Sequence, residues 1–351
     1  MPVDSPLIDV ISVFVPAVVA FAIGIGITPF ITHYLYKHRA WKKRGGRHAL
    51  DGSEATEFGK IHADLETKVP RMGGIVIWAS VILSSILLMS FEQFNFISRG
   101  QTWVPLTLLF VGALIGLCND ILEIRASEGF SKGLSLKTRL VAVSALALVA
   151  GLWFYDKLDV VGVGIPFSDP LYLGWLVVPL FVAFSLFIYA SGVIDGIDGL
   201  AGGVFAIIFS TYAGIAFFQN QLDLAAFAAA VAGATLAFLW FNIPPARFYM
   251  TETGTMGLTA ALAAVVFMTD SLGDGHGLLA FGLIGLPLSA TVLSNIVQIT
   301  SKKVLKKKVF KVAPLHHHFE AVGWPSYKVV MRYWVITAVC ALVGFALALM
   351  G

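Results

Sequence analysis

The sequence predicts an all-α polytopic membrane protein, and three observations carry that prediction. Hydrophobic residues fill 58% of the 351 positions and charged residues only 13%, about half the charged share of a soluble globular chain. The apolar residues come in long runs, many near the roughly 20 residues that a helix needs to cross a bilayer. The cations are also one-sided: 22 of the 24 Lys and Arg fall in loops after odd-numbered spans.

About ten transmembrane helices are expected, near 11–36, 73–90, 104–121, 138–155, 171–190, 200–218, 222–241, 255–270, 277–299 and 329–350. The first has no basic segment ahead of it and is long enough to cross, so it is expected to stay as a helix. Between the fourth and fifth spans, "LDVVGVGIPF" alternates in part and carries turn residues, which predicts a small extracytoplasmic β-hairpin. The seventh span is alanine-rich, and small residues let helices approach closely in lipid. Cys118 and Cys340 lie in apolar runs and are expected to be small buried side chains, not a disulfide framework. One integral membrane domain over 1–351 accounts for the whole chain. Positively charged loops stay in the cytoplasm, which places both termini extracytoplasmic and leaves only Arg99 and Lys157 on the outer side.

This topology gathers the unusual polar stretches on the cytoplasmic face. They are "ETKVPRMGG", "GLCNDILEI", "SGVIDGIDGLAGG", "FNIPPARFYMTETG" and "PLHHHFE". Asp195 and Asp198 stand three apart among glycines, a spacing that would put both carboxylates on one side of a helical turn; Asp198 could equally cap the sixth helix. Asp120 ends an apolar helix after Asn119, where a carboxylate can bind a hard cation, act as a base, or simply be solvated at the interface. Glu252 opens the eighth span, where a first-turn acid also suits the helix dipole.

His316, His317 and His318 are internal and precede a further span, which does not fit an expression tag. A structural zinc site lacks a Cys or a second His pair at suitable spacing. An anion site fits better, because histidines donate to phosphate and "KKVLKKKVFK" raises the local positive potential. That strip also suits anchoring to anionic lipid headgroups. Acids able to hold Mg²⁺ and donors able to hold phosphate point to phosphate chemistry on a nucleotide-linked substrate. A lipid acceptor suits a site at the bilayer border.

The stretch "KVFKVAPLHHHFEAVGWPSYKVVMRYWVI" resembles the C-terminal signature of the phospho-N-acetylmuramoyl-pentapeptide transferases, the translocase I family of peptidoglycan synthesis. "MGG", "DGIDGLAGG", the "FN…P" approach to the eighth span and "GLSLKTRL" fit the wider polyprenyl-phosphate N-acetylhexosamine-1-phosphate transferase superfamily, and the likeness runs in order along the chain. The resemblance implies transfer of phospho-MurNAc-pentapeptide from UDP-MurNAc-pentapeptide to undecaprenyl phosphate, giving lipid I and UMP, with Mg²⁺ as cofactor. It implies a bacterial inner membrane location, membrane lipids as surroundings and a homodimer; no nucleic-acid partner is expected. It also implies catalytic roles for Asn119, Asp120 and Asp195, and metal binding by Asp120 and Glu252. Lys68, Asp198, Asn242, Tyr249 and His316–His318 would bind substrate, with Tyr249 stacking on uracil.

Several positions depart from the family pattern. Its acidic pair is here Asn119-Asp120, its lysine is Glu123, its asparagine is Gly192, its aspartate before the eighth span is Glu252, and its "TPTMGG" reads "VPRMGG". Two other readings therefore stand beside the transferase: a divergent or inactive member that binds nucleotide-sugar or polyprenyl lipid, and a transferase for another UDP-sugar.

Overall fold

The computed structural model describes residues 5–42, 67–125, 133–272 and 275–350. Its helices are α1 Ser5–Lys37, α2 Ile75–Leu88, α3 Trp103–Arg125, α4 Leu136–Leu158, α5 Val177–Ser191, α6 Leu200–Phe218, α7 Leu222–Asn242, α8 Thr251–Ser271, α9 Gly277–Ile284, α10 Leu286–Val304, α11 Leu315–Ala321 and α12 Ser326–Ala348. Each expected span coincides with a helix, the ninth with the pair α9–α10. Among the described residues, eight helices are long and apolar enough to cross a membrane, or nine if the pair counts as one span. Helix α2 has 14 residues, about 21 Å at 1.5 Å per residue, shorter than a hydrocarbon core of about 30 Å.

The pair α9–α10 bends by 71°. Gly285 lies at the break, and a Cβ there would sit 2.3 Å from the Phe281 ring. Pro287 follows in the first turn of α10, where its missing N–H costs nothing.

The expected hairpin is present. Strands β1 (Gly162–Val163) and β2 (Leu171–Tyr172) pair antiparallel, with Gly162 opposite Tyr172 and Val163 opposite Leu171.

Helix α8 is the hub. It packs most extensively on α3 and also against α5 and α9. Its interior positions, from Leu258 to Met268, are apolar but for Thr259 and almost wholly buried, as expected of a helix surrounded by others. The α3–α8 approach depends on glycine: a Cβ on Gly116 would lie 2.0 Å from the Glu252 carbonyl oxygen. Alanine-rich α7 is similarly enclosed, and its Gly233 meets the Ala17 carbonyl of α1. Outer faces are apolar instead of charged, with Phe14, Val18 and Phe30 of α1 and Leu342 of α12 exposed, as lipid contact requires. The expectation of two buried cysteines needs correction. Cys118 is exposed and Cys340 partly so, because both lie on outward faces where small apolar side chains are equally at home. Neither forms a disulfide.

Candidate functional site

The polar stretches meet at one end of the helices. Before α2, the Arg71 N–H donates to the Ala40 carbonyl (2.7 Å) and the Gly73 N–H to the Tyr249 carbonyl (2.8 Å). The Tyr249 N–H donates to the Pro70 carbonyl (2.8 Å), so the loop before α8 runs alongside the loop before α2. Asn242, buried at the end of α7, accepts from the Gly199 N–H (3.0 Å) and donates to the Phe248 carbonyl (2.9 Å). It thus ties the aspartate loop to the same segment.

Asp195 and Asp198 do not share a helical turn. Helix α6 starts only at Leu200, after Gly199 at φ +80°, a left-handed conformation that suits glycine. In the resulting loop the carboxylates diverge. Asp198 accepts from the Ala246 N–H (3.0 Å) and Asp195 from the Thr251 N–H (2.8 Å). Together they hold the two ends of the segment leading into α8.

Asp120 is fully buried. Its Oδ1 accepts from Arg71 Nη2 at 2.9 Å. Its Oδ2 accepts from the Thr251 hydroxyl, the Thr253 N–H (2.9 Å) and the Thr253 hydroxyl (2.6 Å). Asp120 therefore caps the first turn of α8 from a neighbouring helix, where the helix dipole favours an anion. Arg71 Nη2 also lies 2.8 Å from Glu123 Oε2, so one guanidinium bridges two acids spaced i, i+3 on α3. Across the cluster, Arg139 of α4 pairs with Glu252. Three carboxylates thus face two guanidiniums, which carry their charge at any working pH.

Asn119 is buried, and its Oδ1 accepts from the Leu134 N–H at 2.9 Å. It fixes the turn before α4, and thereby the helix that delivers Arg139.

The histidines are three of the seven residues of α11. His317 Nδ1 lies 2.7 Å from Glu320 Oε2, and Ser326 donates to Glu320 Oε1 at 2.6 Å. A carboxylate on Nδ1 turns Nε2 the other way. A Cβ on Gly196 would lie 2.6 Å from the Nε2 of both His316 and His317. Two ring nitrogens therefore converge on the backbone next to Asp195, in a gap that only glycine leaves open. His318 is less buried, and its Nδ1 accepts from the Lys311 N–H (3.2 Å). Lys68 is exposed beside the Arg71 loop.

The sequence singled out the acids and the histidines but gave no role to their partners. Arg71 and Arg139 read as positive-inside charge, Thr251 and Thr253 as ordinary helix-start residues, and Glu320 as part of a motif. The available signal was Arg71 itself, a cation where the family pattern has threonine.

A divalent ion is the test of this chemistry. Among the described residues, no three His, Cys, Asp or Glu side chains are grouped to hold a metal. Mg²⁺ needs near-octahedral oxygens at about 2.0–2.1 Å, and here Arg71, Arg139 and the threonines engage the oxygens of Asp120 and Glu252. As arranged, these residues do not fit the ion.

Comparison with known proteins agrees with this geometry. Residues 102–270, which span Asp120 to the end of α8, match the model of glycosyl transferase family 4. The chain is 31% identical over 343 residues to a phospho-N-acetylmuramoyl-pentapeptide-transferase of Bacillus cytotoxicus, covering 96% of each chain. It is 32% identical over 344 residues to proteins of the same name from Bacillus thuringiensis and Bacillus cereus, again over 96% of each.

Proposed function

The chain belongs to the phospho-N-acetylmuramoyl-pentapeptide transferase family, and from that premise we propose that it carries out the family's reaction. It transfers phospho-MurNAc-pentapeptide from UDP-MurNAc-pentapeptide to undecaprenyl phosphate, releasing UMP and forming lipid I. An oxygen of the lipid phosphate attacks the sugar-bearing phosphorus. The P–O bond to UMP breaks, and UMP leaves with the electron pair. One pyrophosphate linkage replaces another, so the protein's task is positioning and charge stabilisation.

The observation that carries the reading is the convergence of His316 and His317 on Gly196, beside Asp195 and the buried Asp120 cluster. In this reading the histidines grip the donor's phosphates, and Asp195 and Asn119 set the loop and helix around them. Asp120 stands nearest the exchange. Lys68, Asp198, Asn242 and Tyr249 complete the donor site, with the Tyr249 ring against uracil. The family implies Mg²⁺, which Asp120 and Glu252 would hold. When bound it would neutralise phosphate charge. The residues do not fit it as arranged, so no step is routed through it.

The rest of the reading concerns setting. The chain acts as one domain over 1–351 in the bacterial inner membrane, with this end of the helices in the cytoplasm, both termini outside, and a homodimer as its assembly. The converging histidines favour this family's donor over another UDP-sugar, and the intact polar network favours an enzyme over an inactive binder. The test is purified full chain with UDP-MurNAc-pentapeptide, undecaprenyl phosphate and Mg²⁺, with UMP measured. Lipid-dependent UMP release is expected; absence of release overturns the reading in favour of a binding protein.

A further inference from the structure

We infer that in the substrate-free chain Arg71 and Arg139 are the resident cations of the acidic centre, so that Asp120, Glu123 and Glu252 have no divalent-ion site of their own. This rests on reading the centre as the transferase site. Arg71 Nη2 lies 2.9 Å from Asp120 and 2.8 Å from Glu123, and Arg139 is paired with Glu252. Two guanidiniums bring the same charge as one divalent ion, and they bring it to the acids that would otherwise attract one.

Three physical points make the occupation strong. First, arginine stays protonated in proteins. A lysine could leave the competition by losing a proton, but these side chains must move bodily. Second, Arg71 is only 7% exposed. An ion that displaced it would leave a buried guanidinium stripped of Asp120, and an uncompensated buried charge is costly. Third, the second oxygen of Asp120 is saturated by Thr251 and Thr253. A carboxylate offers about four lone-pair positions, and four protein donors crowd Asp120 here, three of them on Oδ2 and Arg71 on Oδ1. The remaining imbalance, three carboxylates against two guanidiniums, is a single negative charge and a weak lure for a dication. The ligand whose chemistry can compete for both arginines is a diphosphate, because guanidinium pairs with phosphate oxygens as well as with carboxylates.

The experiment is a Mn²⁺ titration of the full chain in detergent without substrate, read by the loss of the free-ion electron paramagnetic resonance signal. The wild type is expected to show no saturable site through the millimolar range. Arg71→Thr and Arg139→Gln should each create one site per chain, tighter by at least about tenfold, or 1.4 kcal/mol, and Asp120→Asn should abolish it. Arg71→Lys, which keeps the charge, should bind less Mn²⁺ than Arg71→Thr, and it carries the test if the threonine variant does not fold. The inference is overturned if the wild type already binds one Mn²⁺ as tightly as the arginine variants. That outcome would leave lipid-dependent UMP release untouched, whereas loss of UMP release with a Mn²⁺-silent wild type would count against the transferase reading alone.

Discussion

Two buried acids mark the two ends of α8, and they are held in different ways. At the far end, Asp270 of α8 itself accepts from the Gly164 N–H (2.8 Å) after strand β1 and from the Leu278 N–H (2.9 Å) in the first turn of α9. At the near end, Asp120 of α3 accepts from Arg71, two threonine hydroxyls and one N–H of α8. Backbone donors cannot turn away without unfolding the segment that carries them. A guanidinium or a hydroxyl can swing to another acceptor. Asp270 is therefore a strut joining hairpin, α8 and α9, whereas Asp120 sits in a network that can be redirected toward a ligand. Burial is the same in both cases; the kind of donor differs.

The largest expected effect breaks the near end. Asp120→Asn presents an amide to the Thr253 N–H and deprives Arg71 of one anion. Activity per folded molecule should fall roughly 10²–10⁴-fold, as for loss of a group acting at the exchange, and lipid-dependent UMP release checks it.

Asp270→Asn should sharpen the contrast. One backbone donor loses its acceptor, which costs about 1–3 kcal/mol, read as a lower midpoint of thermal unfolding in detergent. Turnover per folded molecule should stay near the wild-type value. The smallest effect is expected at Ser326→Ala, which removes one hydrogen bond to Glu320 while leaving the His317–Glu320 contact in place. It should cost about 1 kcal/mol in the same unfolding measurement, with little change in turnover.

The same contrast explains what the sequence made legible. Apolar runs of membrane length are read directly, so every expected span coincides with a helix, and "LDVVGVGIPF" supplies one strand of a hairpin, whose second strand, Leu171–Tyr172, lies where the fifth span was expected to begin. The count was harder: α2 is short, and the ninth span is broken at Gly285, where local glycine and proline chemistry overrides the apolar pattern. Asp120 and the histidines stood out because a polar residue ending an apolar run is unusual. Asp195 and Asp198 were found, but their spacing misled: an i, i+3 argument assumes a helix, and α6 starts only at Leu200, after the left-handed Gly199. Asp270 drew no notice, because an acid at the end of a span looks like an interfacial residue until its backbone donors are seen.

Ion-pair partners were the least legible. Arg71 and Glu123 are far apart in sequence, and each reads as an isolated departure: arginine where the family has threonine, and glutamate where it has lysine. In the fold they meet at 2.8 Å, and the two departures become one exchange.

The most direct test of the account compares Asp120→Asn with Asp270→Asn, side by side, in lipid-dependent UMP release normalised to folded protein. The account predicts a fall of at least about 100-fold for Asp120→Asn, with Asp270→Asn close to the wild type. Equal losses in both variants, or wild-type turnover in Asp120→Asn, would contradict it.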